Sequence, residues 1–94
     1  MKEFEVRTVN IFKTLSNPIR YRILVWLHKS GELTPTQMSR KLNRCISRIS
    51  SHLKILRDAG LVRFRTRDKN VFYRLKNEEI ISVIETVHEM VQRR

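Results

Sequence analysis

The side chains best suited to binding chemistry lie together between Ile46 and Lys54. This stretch places small hydroxyl groups around one arginine and follows them with an imidazole and an ammonium group: Ile46, Ser47, Arg48, Ser50, Ser51, His52 and Lys54. An arginine can donate two hydrogen bonds to O6 and N7 of guanine, and a serine hydroxyl suits bases or phosphates. We therefore predict that Arg48 contacts a base edge and that Ser47 and Ser51 contact bases or phosphates. His52 is predicted to contact phosphate.

The alternative for this stretch is that its polar side chains contact only water at the exposed end of a helix. Ile49, Leu53 and Leu56 recur at spacings of four and three, which predicts a helix from about residue 46 to residue 59 with one apolar face. In a helix-turn-helix, the first residues of the second helix meet the base edges and the far side packs on the core. Gly60 then ends the helix, because glycine adopts positive φ without steric cost.

A basic hairpin is predicted directly after this helix. Residues 61–66 and 71–75 alternate in polarity and contain aromatic and β-branched residues, as the strands of a hairpin do. The basic residues of the hairpin are Arg63, Arg65, Arg67, Lys69 and Arg74. Those on the first strand alternate with Phe64 and so share one face, and those near the tip can reach phosphates or the minor groove. The alternative is a basic hairpin that only contacts solvent.

Three further basic residues precede the helix predicted at 46–59 and are expected near a DNA backbone: Arg40, Lys41 and Arg44. Such contacts position a protein on a duplex without reading its sequence. Arg20 and Arg22 either do the same or pair with acidic residues of the fold.

The first half of the chain supplies two helices that support this region. A helix is predicted over residues 3–15 from a loose apolar stripe. Ser16 or Asn17 then caps a second helix, which starts at Pro18 and which Gly31 ends.

A short helix and a terminal helix complete the predicted fold. Thr34 and Gln37 form a capping box for the short helix, which reaches about Leu42. The last helix is predicted over residues 77–92. The fold class is therefore mainly α with a small β-hairpin (α+β), in the order helix, helix, helix, helix, hairpin, helix, which is a winged helix-turn-helix.

The composition restricts the partner and the setting of this chain. Its 94 residues suit a single domain, 1–94, and 20 Lys and Arg against nine Asp and Glu give a net charge of +11. Such an excess indicates a polyanionic partner. The single cysteine excludes an internal disulfide. We expect a cytoplasmic, nucleoid-associated protein with no membrane partner, because no apolar run could span a bilayer and no signal-peptide core is present.

Three stretches of the sequence together resemble the ArsR-type winged-helix transcriptional regulators. They are LSNPIRYRILVWL at 15–27, SSHLKILRDAGLV at 50–62 and VFYRL at 71–75, in the family's order and spacing. The resemblance implies a helix-turn-helix at 34–59 and a wing at 61–75. It also implies a homodimer built on residues 1–15 and 77–94, with one recognition helix of each subunit in the major groove. The MarR type shares this architecture and ranks second.

Apolar faces at both ends of the chain also favour a dimer. The residues assigned to the interface are Phe4, Ile11, Phe12, Ile80, Ile84, Val87 and Val91. The four on the last helix are expected to cover the core, and Ile81, Val83 and Met90 widen their face beyond what one core needs. A two-fold dimer would place its recognition helices about 34 Å apart and would require an inverted-repeat operator.

Cys45 stands where relatives of this type often have a Ser or Thr cap. A thiol caps poorly, and its pKa should fall at a helix N-terminus between Arg44 and Arg48. Two hypotheses stay open, a redox switch that blocks DNA binding and a tolerated small residue. No metal is expected, since residues 33–42 contain no Cys or His and His88 lacks the family's second His. No cofactor is expected either.

The leading hypothesis is a sequence-specific, homodimeric repressor that binds double-stranded DNA at an inverted repeat. A non-specific architectural DNA-binding protein is the alternative, since the charge of +11 alone would bind phosphates. A protein-interaction module is a further alternative, against which the basic wing argues. An enzyme is not expected, because no phosphate-binding glycine loop and no suitably spaced nucleophile and base are present.

Overall fold

The computed structural model describes residues 1–93. Within them, five helices and two strands follow one another: α1 Glu3–Leu15, α2 Pro18–Ser30, α3 Pro35–Leu42, α4 Ile46–Asp58, β1 Val62–Arg67, β2 Asn70–Leu75 and α5 Glu79–Gln92. This order confirms the fold class predicted from the sequence. The observed bounds differ from the expected ones by at most two residues.

Polar side chains begin α2 and α3. The Oδ1 atom of Asn17 accepts hydrogen bonds from the N–H groups of Ile19 and Arg20 at 2.9 and 3.2 Å, which identifies the cap of α2. At α3, Oγ1 of Thr34 accepts from the Gln37 N–H at 3.1 Å, and Oε1 of Gln37 accepts from the Thr34 N–H at 2.8 Å. Each such cap contributes about 1 kcal/mol, so the start of both helices is well determined by sequence.

A tight turn joins α3 to α4. Asn43 closes α3 in the left-handed conformation, with φ of 54°. The Arg44 N–H donates to the Ser39 carbonyl at 3.1 Å, and the Ser39 hydroxyl donates to the Arg44 carbonyl. These bonds fix the angle between the two helices and give the helix-turn-helix its shape.

The core lies behind α4. Ile49, Leu53 and Leu56 on one side of α4 are fully buried. They belong to one cluster with residues of α2, α3, the hairpin and α5: Ile23, Leu24, Leu27, Leu33, Met38, Leu42, Leu61, Val62, Leu75, Ile80, Ile81 and Ile84. Full burial of one such side chain contributes about 1.5–3 kcal/mol. The buried side therefore holds α4 in place while its opposite side faces solvent.

The wing is a two-stranded antiparallel hairpin with a two-residue turn. Asp68 and Lys69 form this turn with φ values of 50° and 66°. Positive φ at both positions is what a type I′ turn requires. Arg67 pairs with Asn70 across the strands, so Arg67 ends β1 and Lys69 alone of the basic side chains stands in the turn.

The burial of α5 differs from the expectation. Ile80, Ile81 and Ile84 are buried, but Val87 and Val91 are 47% and 63% exposed. The expectation that Val87 and Val91 cover the core of the protomer was wrong. Only the first half of α5 packs on the core. The apolar side chains of its second half are exposed to solvent.

Candidate nucleic-acid interface

The front of α4 presents polar side chains to solvent. The exposed residues of this surface are Ile46, Ser47, Arg48, Ser50, Ser51 and Lys54. Arg48 takes no part in the ion pairs found within residues 1–93, which leaves its guanidinium available to an outside partner. Because Ile49 and Leu53 anchor the other side of the helix, this surface has a defined orientation.

Two side chains of α4 are bonded along the helix itself. The Ser51 hydroxyl donates to the Ser47 carbonyl at 3.1 Å. Lys54 Nζ lies 3.0 Å from Oδ2 of Asp58, one turn further on, and both side chains are exposed. Exposed pairs of this kind contribute only about 0.3–0.5 kcal/mol, so a phosphate can draw Lys54 away at little cost.

His52 lies on the flank of α4 and is partly buried. Its Nδ1 atom is 3.2 Å from Nη1 of Arg20 on α2. Burial lowers the pKa of the His52 imidazole, and the positive charges of Arg20 and Arg48 lower it further. The lowered pKa favours the neutral imidazole. Within residues 1–93, Arg20 pairs with this imidazole rather than with an acidic residue.

The basic residues of the wing divide into two groups. Arg65 and Arg67 both reach Glu32, with Nη2 to carboxylate oxygen distances of 3.4 and 3.3 Å. The guanidinium of Arg67 also lies 4.3 Å from the centroid of the Phe72 ring. Arg63 pairs across the strands with Arg74, so two positive side chains stand directly opposite each other. Like charges so placed repel, and a phosphate between them would relieve this repulsion.

The free edge of β2 and the other face of the hairpin tie the wing to the body of the protein. Tyr73 exchanges two backbone hydrogen bonds with Leu33, at 2.9 and 3.0 Å. Its ring packs against Phe64 with 5.4 Å between centroids. The arginine-bearing face is thereby kept turned away from the core.

The basic residues around the turn between α3 and α4 differ in the contacts that their side chains make within the protein. Arg40 is exposed and lines a concave surface with Lys69 of the wing. Lys41 Nζ lies 4.4 Å from the ring centroid of Trp26. Arg44 donates from Nη1 to the Asn43 carbonyl at 3.0 Å. Contacts of these three side chains with a DNA backbone stay a prediction.

Cys45 is the residue that immediately precedes α4, and its side chain makes no cap hydrogen bond. Its Sγ lies 3.4 Å from Oγ of Ser47. The pKa of this exposed thiol is lowered, first by the hydrogen bond with Ser47 and next by the nearby backbone N–H of Arg48, which itself bonds the Cys45 carbonyl. The direction agrees with the expectation from sequence, but a serine hydroxyl is the main cause. A redox role for Cys45 stays a prediction.

The apolar residues assigned to a dimer interface are not equally accessible. Phe4, Phe12, Val87 and Val91 are exposed, by 78%, 60%, 47% and 63%. Ile11 is half-buried. Ile80 and Ile84 are 6% and 7% exposed and belong to the core of the protomer, which leaves them little surface for a partner. Their part in an interface stays a prediction, and the more accessible Phe4, Phe12, Val87 and Val91 offer most of the apolar surface for it.

An apolar groove between α1, α2 and α5 adjoins the exposed residues. Phe12, Leu15, Val83 and Val87 line it, together with a polar pair at its edge. In that pair, the Tyr21 hydroxyl is 2.6 Å from Nε2 of His88. No pattern in the sequence indicated this pair, since the two residues are far apart in the chain.

The described residues hold no group of three or more His, Cys, Asp and Glu side chains arranged for a metal ion. Within the same residues, no helix is long and apolar enough to cross a membrane.

The fold and this surface define a winged helix-turn-helix protein. The model of the family described as bacterial regulatory protein, arsR family, matches residues 17–63. The chain belongs to this ArsR family and is a DNA-binding transcriptional regulator. The family resemblance inferred from the three sequence stretches is thus confirmed.

Two relatives of this chain are named as regulators, one as an activator and the other as a repressor. The chain is 33% identical over 90 residues to the transcriptional activator HlyU of Vibrio cholerae, covering 96% of this chain and 82% of the relative. It is 32% identical over 78 residues to the biofilm growth-associated repressor of Agrobacterium fabrum, covering 83% and 66%.

Solved structures share the whole architecture. HlyU from Vibrio cholerae superposes with a TM-score of 0.82 over 96% of this chain and 97% of that one, at 33% identity. The homodimeric winged helix-turn-helix domain Mb0332 from Mycobacterium bovis, solved by NMR, gives 0.86 at 22% identity, covering 97% and 83%. The second likeness concerns the fold alone.

Proposed function

We propose that this protein is a homodimeric, sequence-specific repressor that inserts α4 of each subunit into the major groove of an inverted-repeat operator. The single observation that carries the proposal is the exposed Arg48, set between serines on the side of α4 that faces away from the core. A helix front of this composition lets the backbone approach the duplex while one bidentate donor reads a guanine. The wing arginines then bind flanking phosphates, which adds affinity without specificity.

The dimer is supported by the apolar residues that the protomer leaves exposed. Phe4 and Phe12 of α1 and Val87 and Val91 of α5 would lose this surface to a second copy. A domain of this size buries only a modest fraction of its own surface, so an interface adds needed stability. The homodimeric fold neighbour from Mycobacterium bovis favours the same arrangement.

Repression is the simpler outcome for a chain of this kind. An operator-bound dimer excludes polymerase by occupancy, and this requires no additional contact with the transcription machinery. The relatives carry both names, activator and repressor. A reporter fused to the operator decides the direction: expression should rise when the protein is removed.

The test of specificity is a fluorescence-anisotropy titration at physiological salt. The probes are a duplex from upstream of the protein's own gene and a scrambled duplex of equal composition. Specific regulators bind their sites about a thousandfold or more tightly than other DNA. Equal binding to this duplex and to a wider set of promoter fragments would contradict the proposal.

A second candidate function is non-specific DNA packaging, which the net charge of +11 favours. Binding driven by charge alone would fall steeply with salt on every duplex and would not depend on Arg48 more than on other arginines. The same titration, repeated at several salt concentrations, separates the two functions.

A further inference from the structure

Arg20 connects two helices that have different tasks. From the first turn of α2, its Nε donates to the Thr14 carbonyl at the end of α1, at 2.8 Å. Its Nη1 is 3.2 Å from Nδ1 of His52 on α4. Thr14 is only 3% exposed, so one end of this bridge is fixed in the protein interior.

The bridge determines where the proton of His52 resides. A guanidinium has only donors, so Nδ1 of His52 must be the acceptor and cannot itself carry a proton. The neutral ring therefore has its N–H at Nε2. Every buried side-chain nitrogen and oxygen of the described residues has a hydrogen-bond partner. Nε2 of His52 has none within these residues, so this N–H reaches the surface.

The charged groups around His52 favour the same state. Arg20 faces it from α2, and Arg48 lies one turn earlier on α4. Both oppose a second proton on the ring, and no carboxylate of residues 1–93 forms an ion pair with it. His52 and Arg48 also share a flank of α4, since side chains four residues apart lie one above the other on a helix.

We propose that Arg20 is a positioning residue that holds His52 as a neutral donor, with its Nε2–H directed at a phosphate oxygen of bound DNA. The acceptor in this proposal depends on the proposed function, whereas the arrangement in the free protein does not. A neutral donor binds phosphate without adding charge. The contact therefore adds affinity on any duplex without adding to the counterion release that makes binding salt-dependent.

The arrangement in the free protein is tested by NMR of ¹⁵N-labelled histidine side chains across a pH titration. The couplings of Nδ1 and Nε2 to the ring protons identify which nitrogen is protonated. Wild type should show His52 with the proton on Nε2 and with a pKa below the ordinary value of a histidine side chain. Arg20→Gln should raise the pKa of His52 and allow the proton onto Nδ1. Arg22→Gln removes the same charge from the exposed side of α2 and should leave His52 unchanged.

Arg20→Lys is the second variant, in case Arg20→Gln fails to fold. A lysine keeps the charge but cannot span the Thr14 carbonyl and His52 with a rigid fork, so the proton should again gain access to Nδ1. A wild-type ring protonated at Nδ1 overturns the proposal. So does a proton that stays on Nε2 in both Arg20 variants.

The contact with DNA is tested by anisotropy titrations of the upstream and scrambled duplexes at several salt concentrations. His52→Ala should weaken binding to both by about tenfold and leave the salt slope unchanged. Arg20→Gln should weaken DNA binding when introduced into the wild-type protein. It should have a much smaller effect on DNA binding when introduced into His52→Ala, because both residues act through one contact. Weakening on the upstream duplex alone, or additive losses, overturns the phosphate contact. If wild type binds neither duplex, the proposed function fails, while the NMR result still decides the arrangement.

Discussion

The Oε1 atom of Glu32 lies 3.3 Å from Nη2 of Arg67, so the end of the wing is bonded to the segment between α2 and α3. Arg65 reaches the other carboxylate oxygen of Glu32 at 3.4 Å. Under the proposed function, the Glu32 carboxylate thus holds the two guanidinium groups that would otherwise bind DNA phosphates. Glu32 is expected to orient the arginines in the free protein and to compete with DNA for them.

Glu32→Gln should therefore tighten DNA binding. Each exposed ion pair is worth about 0.2–1 kcal/mol, so we expect roughly threefold higher affinity on upstream and scrambled duplexes alike. Anisotropy titrations measure this change. Glu85→Gln, which alters the net charge equally at an exposed position of α5, is the control. An equal gain from that variant would show that net charge, rather than release of the wing arginines, is responsible.

Arg48→Ala should reduce affinity for the specific site by about 1–3 kcal/mol and relax one base preference. The loss follows from the removal of a bidentate donor to guanine. Titration against a set of single-base operator variants measures it. Arg57→Ala, in the last turn of the same helix, should have little effect on base preference. Equal weakening on every duplex would make Arg48 a phosphate contact.

Val91→Asp should convert the proposed dimer to monomers. Its side chain is 63% exposed in the protomer, so a carboxylate there leaves the fold intact but opposes burial in an interface. Sedimentation velocity at micromolar concentration reports the change. Ser82→Asp lies on the opposite side of α5 and should leave the assembly unchanged. A dimer that survives Val87→Asp and Val91→Asp would refute the role of α5.

Ile84→Ala should destabilise the protein by about 2–5 kcal/mol, because it opens a cavity in the core. Val91→Ala on the same helix should cost less than about 0.5 kcal/mol within a monomer. Urea unfolding of both variants in the Val87→Asp background separates folding from association. Similar losses for the two would mean that α5 packs on the core along its whole length.

The Cys45 thiol should react faster with iodoacetamide at neutral pH than an ordinary cysteine. Its pKa is lowered, mainly by the hydrogen bond with Ser47, so more thiolate is present at a given pH. Ser47→Ala should raise this pKa and move the alkylation rate profile to higher pH. Ser50→Ala, which retains that bond, should leave the profile in place. Identical profiles for wild type and Ser47→Ala would contradict the assignment.

The local parts of this fold were predictable from sequence because they follow from neighbouring residues. Asn17, Thr34 and Gln37 cap their helices through bonds that span two or three positions. Gly31 and Gly60 adopt the positive φ that ends α2 and follows α4. The spacing of the apolar residues in α4 correctly predicted which side of the helix is buried, and therefore which residues around Arg48 are exposed.

The contacts that tune the surface were not predictable, since they join residues distant in the chain. Nothing near Glu32 in the sequence indicates two wing arginines as its partners. The spacing of Val87 and Val91 continued that of Ile80 and Ile84, and periodicity alone could not show where the core ends. The pairing of His52 with Arg20 depends on how α2 crosses α4, which a local pattern does not contain.

The chain contains one tryptophan, Trp26. The ammonium groups of Lys41 and Lys29 lie 4.4 and 5.3 Å from the centroid of its ring. A nearby cation perturbs the emission of an excited indole. If bound DNA draws Lys41 onto a phosphate, the fluorescence of Trp26 changes, and the unlabelled protein reports its own occupancy. Lys41→Met would abolish that signal while leaving Trp26 in place, which would make this pair a built-in optical probe of DNA binding.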